Sequence, residues 1–282
     1  MKKLLNSLYI LDETAYLSLD GENIVCKFDE RPLMRVPLVN LEDIYVFGYS
    51  GCSPALMGKC VEDGVALNFF TPNGHLLAHV HGTTKGNIFL RAEQFRIFAE
   101  PPIILAQNTV ATKISNTCYV LKRSLKDYPQ INSDGKVSEC ITYLKEKIQD
   151  VYNCNDRETL MGLEGKCAKQ YFSVFDRMIL QQKDDFFLTS RTKRPPLDRV
   201  NAVLSFLYTI MTAQYASALE GVGLDSFLGF YHAMRSGRSS LACDLVEESR
   251  CIVERLVITM INLKILNRND FETQVSGAVM LN

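Results

Sequence analysis

LGFYHAMRSGRSSLACDLVEESRCIVE, residues 228–254, sets the reading of the whole chain. It contains one histidine, His232. A turn, Ser236-Gly237-Arg238-Ser239, separates that histidine from a helix whose first turns carry Asp244, Glu247 and Glu248. Residues three and four apart are neighbours on a helix, so the spacing predicts one acidic face. The same helix carries Leu245, Val246, Ile252, Val253, Leu256, Val257, Met260 and Ile261, apolar on nearly every side. A helix of that kind is buried, and buried carboxylates need a cation, a metal or a proton. The competing account is electrostatic and local. Acidic residues are favoured near a helix start, and Arg250 and Arg255 are at hand to neutralise them. Both accounts stay open on these residues alone.

Outward from this stretch, composition narrows the class. A chain of 282 residues favours two domains. Its 47% hydrophobic content is enough for a sizeable core. A net charge of −1 excludes a bulk polycation, so any nucleic-acid surface must be a local patch. Nine cysteines are scattered without a CxxC pair. That argues for a reducing cytoplasm and against a disulfide frame or a zinc knuckle. The N-terminal run is too short for a signal peptide, and no stretch reads as a clean transmembrane span. No membrane partner is expected.

The chain starts with strand patterns. These cover Leu4 to Ile10, Ala15 to Leu19, Asn23 to Phe28, Leu33 to Leu38, Asp43 to Phe47, Val65 to Phe70 and His75 to Val80. Asp20-Gly21 and Pro72-Asn73-Gly74 are hairpin signals, and Pro37 assigns its strand to an edge. Ser53 and Pro54 open a short helix to Glu62. His75, His79 and His81 have the parity of one strand face, but His75 and His79 are over roughly ten ångströms apart along it. No carboxylate or cysteine flanks them, so a solvent face is expected rather than a metal site.

From Asn87 the period becomes helical. Helices are predicted over Asn87 to Glu100, Ile103 to Leu125 and Val137 to Tyr152, with a loop from Tyr128 to Gly135. Another starts at the capping spacing of Asn155 to Glu158, and one runs from Arg199 to Glu220. Asp225 is expected to cap a short helix carrying His232. The fold class is therefore α+β. An N-terminal β-sheet, β-sandwich-like domain (1–82) precedes a larger all-α domain (87–282), with the boundary at 82–86.

Two features in the helical part stand out. Leu160, Ala168, Tyr171 and Phe175 form an apolar stripe, and Glu164 falls inside it between Gly162 and Gly165. Each glycine costs about 1 kcal/mol against alanine in a helix, tolerable where a backbone or ligand approaches. Glu164 is a candidate ligand or one half of a buried salt bridge. The second feature is FFLTSRTKRPPLDR, residues 186–199, with Arg191, Lys193 and Arg194 ahead of two prolines. A stiff basic loop suits phosphate contacts, although such runs are commonly just solvated.

Four blocks together carry a resemblance: LMGLEGKCAKQYF (160–172), RTKRPPLDRVNAVLSFLY (191–208), SALEGVGLDSFLGFYH (217–232) and GRSSLACDLVEESR (237–250). In this order and spacing the chain resembles the CRISPR adaptation integrase, the first-numbered of the Cas proteins. The N-terminal KLLNSLYI, AYLSLDGENIV and SGCSPALMGKC look like the branch that accompanies type I-C systems. The resemblance implies a metal-dependent DNA endonuclease that inserts short foreign fragments (spacers) into a CRISPR array by 3′-hydroxyl transesterification. It implies Glu164, His232 and Glu247 as catalytic metal ligands, with Asp244 an accessory acid nearby. Two carboxylates and one imidazole suit Mn²⁺ or Mg²⁺. Arg191, Lys193, Arg194 and Arg238 are the expected phosphate contacts, and Tyr208 is near the site. Implied partners are double-stranded and branched DNA, a second copy through the β-domain, and the small second adaptation protein. Family members usually continue past the position of Asn282 with a partly basic segment.

The alternative is a non-catalytic DNA-binding scaffold in which Glu164, His232 and Glu247 form a structural polar network. A carboxylate-bridged helical-bundle oxidase would need paired Glu-x-x-His motifs, which the chain lacks.

Overall fold

The structure, a computed structural model, describes residues 7–29, 34–80, 87–192 and 195–281. The chain divides into two compact units, Met1–Glu93 with Ala213–Asp225, and Gln94–Thr212 with Ser226–Asn282. The expected boundary at 82–86 lies outside the described residues, as does His81.

The first unit is built from β1 (Ser7–Ile10), β2 (Tyr16–Asp20), β3 (Asn23–Lys27), β4 (Met34–Pro37), β5 (Asp43–Phe47), α1 (Pro54–Asp63), β6 (Ala66–Phe70) and β7 (Leu76–Val80). One sheet has the order β1-β5-β6-β7 and the other β2-β3-β4. Leu17 and Ile24 from the small sheet share one core with Ile44, Val46 and Leu67 from the large one and Leu56 from α1. Both predicted hairpins form, with Gly21 and Gly74 at φ 59° and 80°, conformations a side chain disfavours. Ser53 caps α1 by accepting the Leu56 N–H at 3.3 Å. Pro37 sits on the edge strand β4 as expected. Periodicity did not foresee that β1, β5 and β6 run parallel. The reason is α1, which carries the chain back across the sheet between β5 and β6 as a parallel connection requires.

His79 corrects the expectation of a solvent-facing histidine strand. It is partly buried, and its Nε2 lies 2.5 Å from Glu220 Oε2. That hydrogen bond raises the imidazole's pKa above the ordinary range, against the opposing effect of burial. His75 is exposed and precedes β7, and a bulge between Phe69 and Phe70 breaks the parity argument.

The second unit is a helical packing of α3 (Ile103–Asp127), α4 (Lys136–Tyr152), α5 (Arg157–Phe175) and α7 (Ser240–Asn262), joined by residues 199–212 of α6 (Arg199–Gly221); α2 (Ile88–Ala99) precedes them. Its core includes Val110, Ile114, Leu121, Leu144, Tyr171, Phe175, Val253 and Val257. Asp156 starts α5 by accepting the Thr159 N–H at 2.8 Å. A hairpin of β8 (Phe271–Thr273) and β9 (Val279–Leu281) closes the unit, with the Val279 N–H donating to Pro196 O at 3.0 Å. Strands followed by a larger helical part make the α+β class correct.

Among the described residues, α6 is the one helix long and apolar enough to cross a membrane, by length and composition only. Its Val200, Val203, Leu204 and Tyr208 belong to the buried core. All nine cysteines are free thiols, and seven are buried.

The short helix expected around His232 does not form. Residues 224–239 are irregular. The Asp244 carboxylate takes the N–H groups of Phe230, Tyr231 and His232 at 2.7, 2.9 and 2.9 Å. Amides that converge on a side chain are not available to a helical ladder.

Candidate active site

α5 contributes Glu164, α7 contributes Glu247 and Arg250, α3 contributes Lys113, and the irregular segment contributes His232. All five line one cavity of about 580 Å³, together with Arg191, Tyr208, Arg238 and Glu254. Lys113 is the junction. Its ammonium donates to Glu247 Oε2 at 2.6 Å and also to Glu164 Oε1. Arg250 Nη2 donates to the other Glu247 oxygen at 2.7 Å. His232 Nε2 lies 3.8 Å from that same oxygen.

These contacts set the charges. Burial pushes the Glu247 carboxyl up, but Lys113 and Arg250 outweigh it and hold it far below the ordinary carboxylate range. Burial lowers the Lys113 ammonium, yet Glu247 and Glu164 together keep its pKa above that of a free lysine. Arg250 is likewise raised, by Glu247 against the cost of burial.

Asp244 orients the imidazole. His232 Nδ1 lies 2.7 Å from Asp244 Oδ1. A carboxylate only accepts, so Nδ1 carries a hydrogen, and Nε2 is the ring nitrogen that faces Glu247. Asp244 has no exposure, and its two oxygens already meet four nitrogens. It is a positioning group behind the histidine, the place an outer carboxylate takes in imidazole metal sites. The glycine of the Gly-Phe-x-His block is explained by the same contact. A Cβ on Gly229 would lie 2.6 Å from Asp244 Oδ2 and 2.8 Å from the Ser240 carbonyl carbon.

The structure thus brings Glu164, His232 and Glu247 to one cavity from three separate segments. The predicted acidic face of α7 splits. Glu248 turns to α3 and accepts from Thr109 at 2.9 Å. Of the two arginines weighed against the acids, Arg250 engages Glu247, whereas Arg255 is exposed. Among the described residues, and apart from α5's own nearby backbone and the chain neighbours, no atom comes within 4 Å of where a Cβ would stand on Gly162 or Gly165, so no other element's backbone packs on either. Gly165 lines the cavity. Arg191 also reaches the cavity, but its guanidinium donates to Asn201 Oδ1 at 2.7 Å and Ser205 Oγ at 3.2 Å. Arg238 also lines the cavity. Lys193 and Arg194 lie outside the described residues.

Sequence reasoning missed Lys113 and Glu254. Each had a signal of the kind that revealed Glu164. Lys113 falls in the buried stripe Ala106, Val110, Thr117 and Leu121 of α3, and Glu254 in the stripe Glu247, Ile258 and Ile261 of α7.

The donor set fits a divalent ion: two carboxylates from different helices and an imidazole with its outer nitrogen tied. Among the described residues no three His, Cys, Asp or Glu side chains are grouped closely enough to hold an ion. The cation between the carboxylates is the Lys113 ammonium.

Comparison with known proteins adds to this geometry. The sequence matches the family described as CRISPR associated protein Cas1 over residues 8–282. It is 41% identical over 284 residues to CRISPR-associated endonuclease Cas1 1 of Chlorobaculum tepidum, spanning 100% of this chain and 83% of the relative. A Cas1 protein from Thermotoga maritima has a similar structure, with a TM-score of 0.81 at 22% identity, covering 99% of this chain and 85% of the other. A casposase bound to integration product gives 0.80 at 22% identity, covering 99% and 79%. At that identity the structural likeness speaks for the fold alone.

Proposed function

The chain belongs to the CRISPR-associated Cas1 family, and from that premise we propose that it is a metal-dependent DNA endonuclease and integrase. It inserts short foreign DNA fragments into a CRISPR array in the cytoplasm, as part of an adaptation machinery of the type I-C kind. The observation that carries this reading is the meeting of Glu164 and Glu247 on one cation, with His232 Nε2 3.8 Å from Glu247 Oε1, inside an arginine-lined cavity.

Glu164, Glu247 and His232 Nε2 are the groups that would hold Mn²⁺ or Mg²⁺. When bound, such an ion would lower the pKa of a water or 3′-hydroxyl and stabilise charge on the phosphorus-bound oxygens. The protein's own part is orientation and charge. Asp244 keeps the histidine in the tautomer whose Nε2 is free to donate a lone pair. Arg250 keeps Glu247 ionised and in place. Arg238 and Arg191, with Lys193 and Arg194, meet the phosphates of the DNA. No side chain needs to form a covalent bond to phosphorus. With water as nucleophile the product is a cleaved strand; with a 3′-hydroxyl it is a joined one. The β-rich unit is the dimerisation surface of a homodimer, and the small second adaptation protein bridges two such dimers.

The test uses a branched DNA substrate with Mn²⁺ or with chelator. His232→Ala and Glu164→Gln are expected to abolish metal-dependent cleavage and strand transfer while leaving DNA binding nearly unchanged. Lys113 and Arg250 also satisfy the carboxylates as a structural network would, which is the observation that favours a non-catalytic scaffold. That scaffold is the correct reading if wild type shows no metal-dependent turnover; if wild type does turn over and either variant matches it, the substituted residue is no metal ligand.

A further inference from the structure

We propose that Lys113 is the resident cation of the metal centre, and that a divalent ion enters by displacing its ammonium from between Glu164 and Glu247. The inference rests on the proposed metal site and assigns it a residue that controls its occupancy.

Three observations carry it. First, Lys113 Nζ sits between the two carboxylates rather than beside them, bonded to Glu164 Oε1 and to Glu247 Oε2. An ion bound to both carboxylates needs that same space. Second, Lys113 comes from α3, while the ligands come from α5, α7 and the segment before α7. Its withdrawal therefore leaves each ligand on its own scaffold. Third, a way out exists. The lysine side chain is 17% exposed and lines the cavity, whose lining also includes Thr189, Ser190, Arg191 and Arg238. A lysine stem has four rotatable bonds, so the ammonium moves by changing rotamer while the backbone stays in place.

The consequence follows from charge. Two carboxylates with Lys113 and Arg250 sum to about zero, so an incoming dication finds little net attraction until the ammonium leaves. Without Lys113 the same donors carry a net negative charge and the space between them is free. Affinity for the dication then rises, because like charges a few ångströms apart repel strongly in a partly buried site. The resident lysine also keeps Glu164 and Glu247 from repelling each other, so its removal weakens the protein before metal is added and widens the stabilisation that metal gives.

The experiment measures Mn²⁺ binding to the full chain without DNA, by electron paramagnetic resonance of the free ion, together with thermal melts with and without Mn²⁺. Lys113→Met is expected to bind Mn²⁺ at least about tenfold more tightly than wild type and to melt several degrees lower without metal. Lys113→Gln serves if the methionine variant does not fold, with the same expectation. Lys113→Arg keeps the charge and is expected to stay within a few-fold of wild type. Equal or weaker Mn²⁺ binding by both neutral variants overturns the inference. The parent reading fails separately, through Glu164→Gln. If that substitution leaves wild-type Mn²⁺ affinity untouched, Glu164 is no ligand; if it abolishes binding while Lys113→Met does not tighten it, the site stands and the resident-cation role falls.

Discussion

Tyr208 donates its hydroxyl to Glu254 Oε1 at 2.7 Å in the lining of the cavity. The same phenol ring lies 4.5 Å from the Arg250 guanidinium and 5.5 Å from that of Arg191. One hydrogen bond therefore fixes the ring on which two arginines rest, and each arginine faces the site. Glu254 is 3% exposed. Burial raises its pKa above the ordinary glutamate range, and the bond from Tyr208 only partly offsets this.

That shift gives a pH signature. A glutamate with a raised folded pKa costs nothing extra below the unfolded value, about 4.5, where both states are protonated. Stability is lost as pH rises from there through the folded pKa, because the unfolded chain ionises first. Glu254→Gln keeps an acceptor for Tyr208 and cannot ionise. Its melting temperature should match that of wild type in acid and exceed it at pH 8. Melts at pH 4.5 and pH 8 decide; a difference that is constant with pH would contradict the assignment.

Asp244→Ala removes the acceptor for three backbone amides and the His232 ring at once. Leaving several buried donors unsatisfied should cost about 2–5 kcal/mol in a denaturant titration. Asp244→Asn is the gentler probe. It retains the volume, but its amide nitrogen opposes a donor and the histidine loses its fixed tautomer. Mn²⁺ affinity should fall about 10–100-fold, the usual range for an outer partner of a ligating histidine. Normal Mn²⁺ affinity in Asp244→Asn would show that the contact only supports the loop.

Gly229→Ala forces a methyl group to within 2.6 Å of Asp244 Oδ2. Overpacking of this kind costs about 1–3 kcal/mol. Because the clash falls on the group that orients His232, metal binding should weaken along with stability. Gly162→Ala meets no atom within 4 Å and should be neutral or stabilising by up to about 1 kcal/mol. Paired thermal melts of the two variants test the contrast.

The arginines separate by what already holds them. Arg238→Ala should lower the log–log salt dependence of DNA binding by roughly 0.9, one phosphate contact, with stability within about 0.5 kcal/mol of wild type. Arg191→Ala should also lower the melting temperature, because Asn201 and Ser205 lose their donor. Binding isotherms at several salt concentrations check both. An unchanged slope for Arg238→Ala removes it from the DNA surface.

The order of the fold was legible in the sequence because local chemistry writes it. Asp20-Gly21 demands a turn, Pro37 an edge, and Ser53 caps a helix with its own oxygen, while the capping spacing from Asn155 marked the start of α5 one residue ahead of its actual cap, Asp156. Glu164 announced itself as an acid inside an apolar stripe, and the family blocks placed His232 and Glu247 with it. Periodicity states which face of a helix is buried, but not which face of another helix meets it. Lys113 lies 51 residues from Glu164 and 134 from Glu247, and only the packing of α3 against α5 and α7 reveals the three as neighbours. The loop of His232 was misread as helix for the same reason. Its amides are held by Asp244, twelve to fourteen residues onward, and local propensity carries no information about a carboxylate that reaches the backbone from another element.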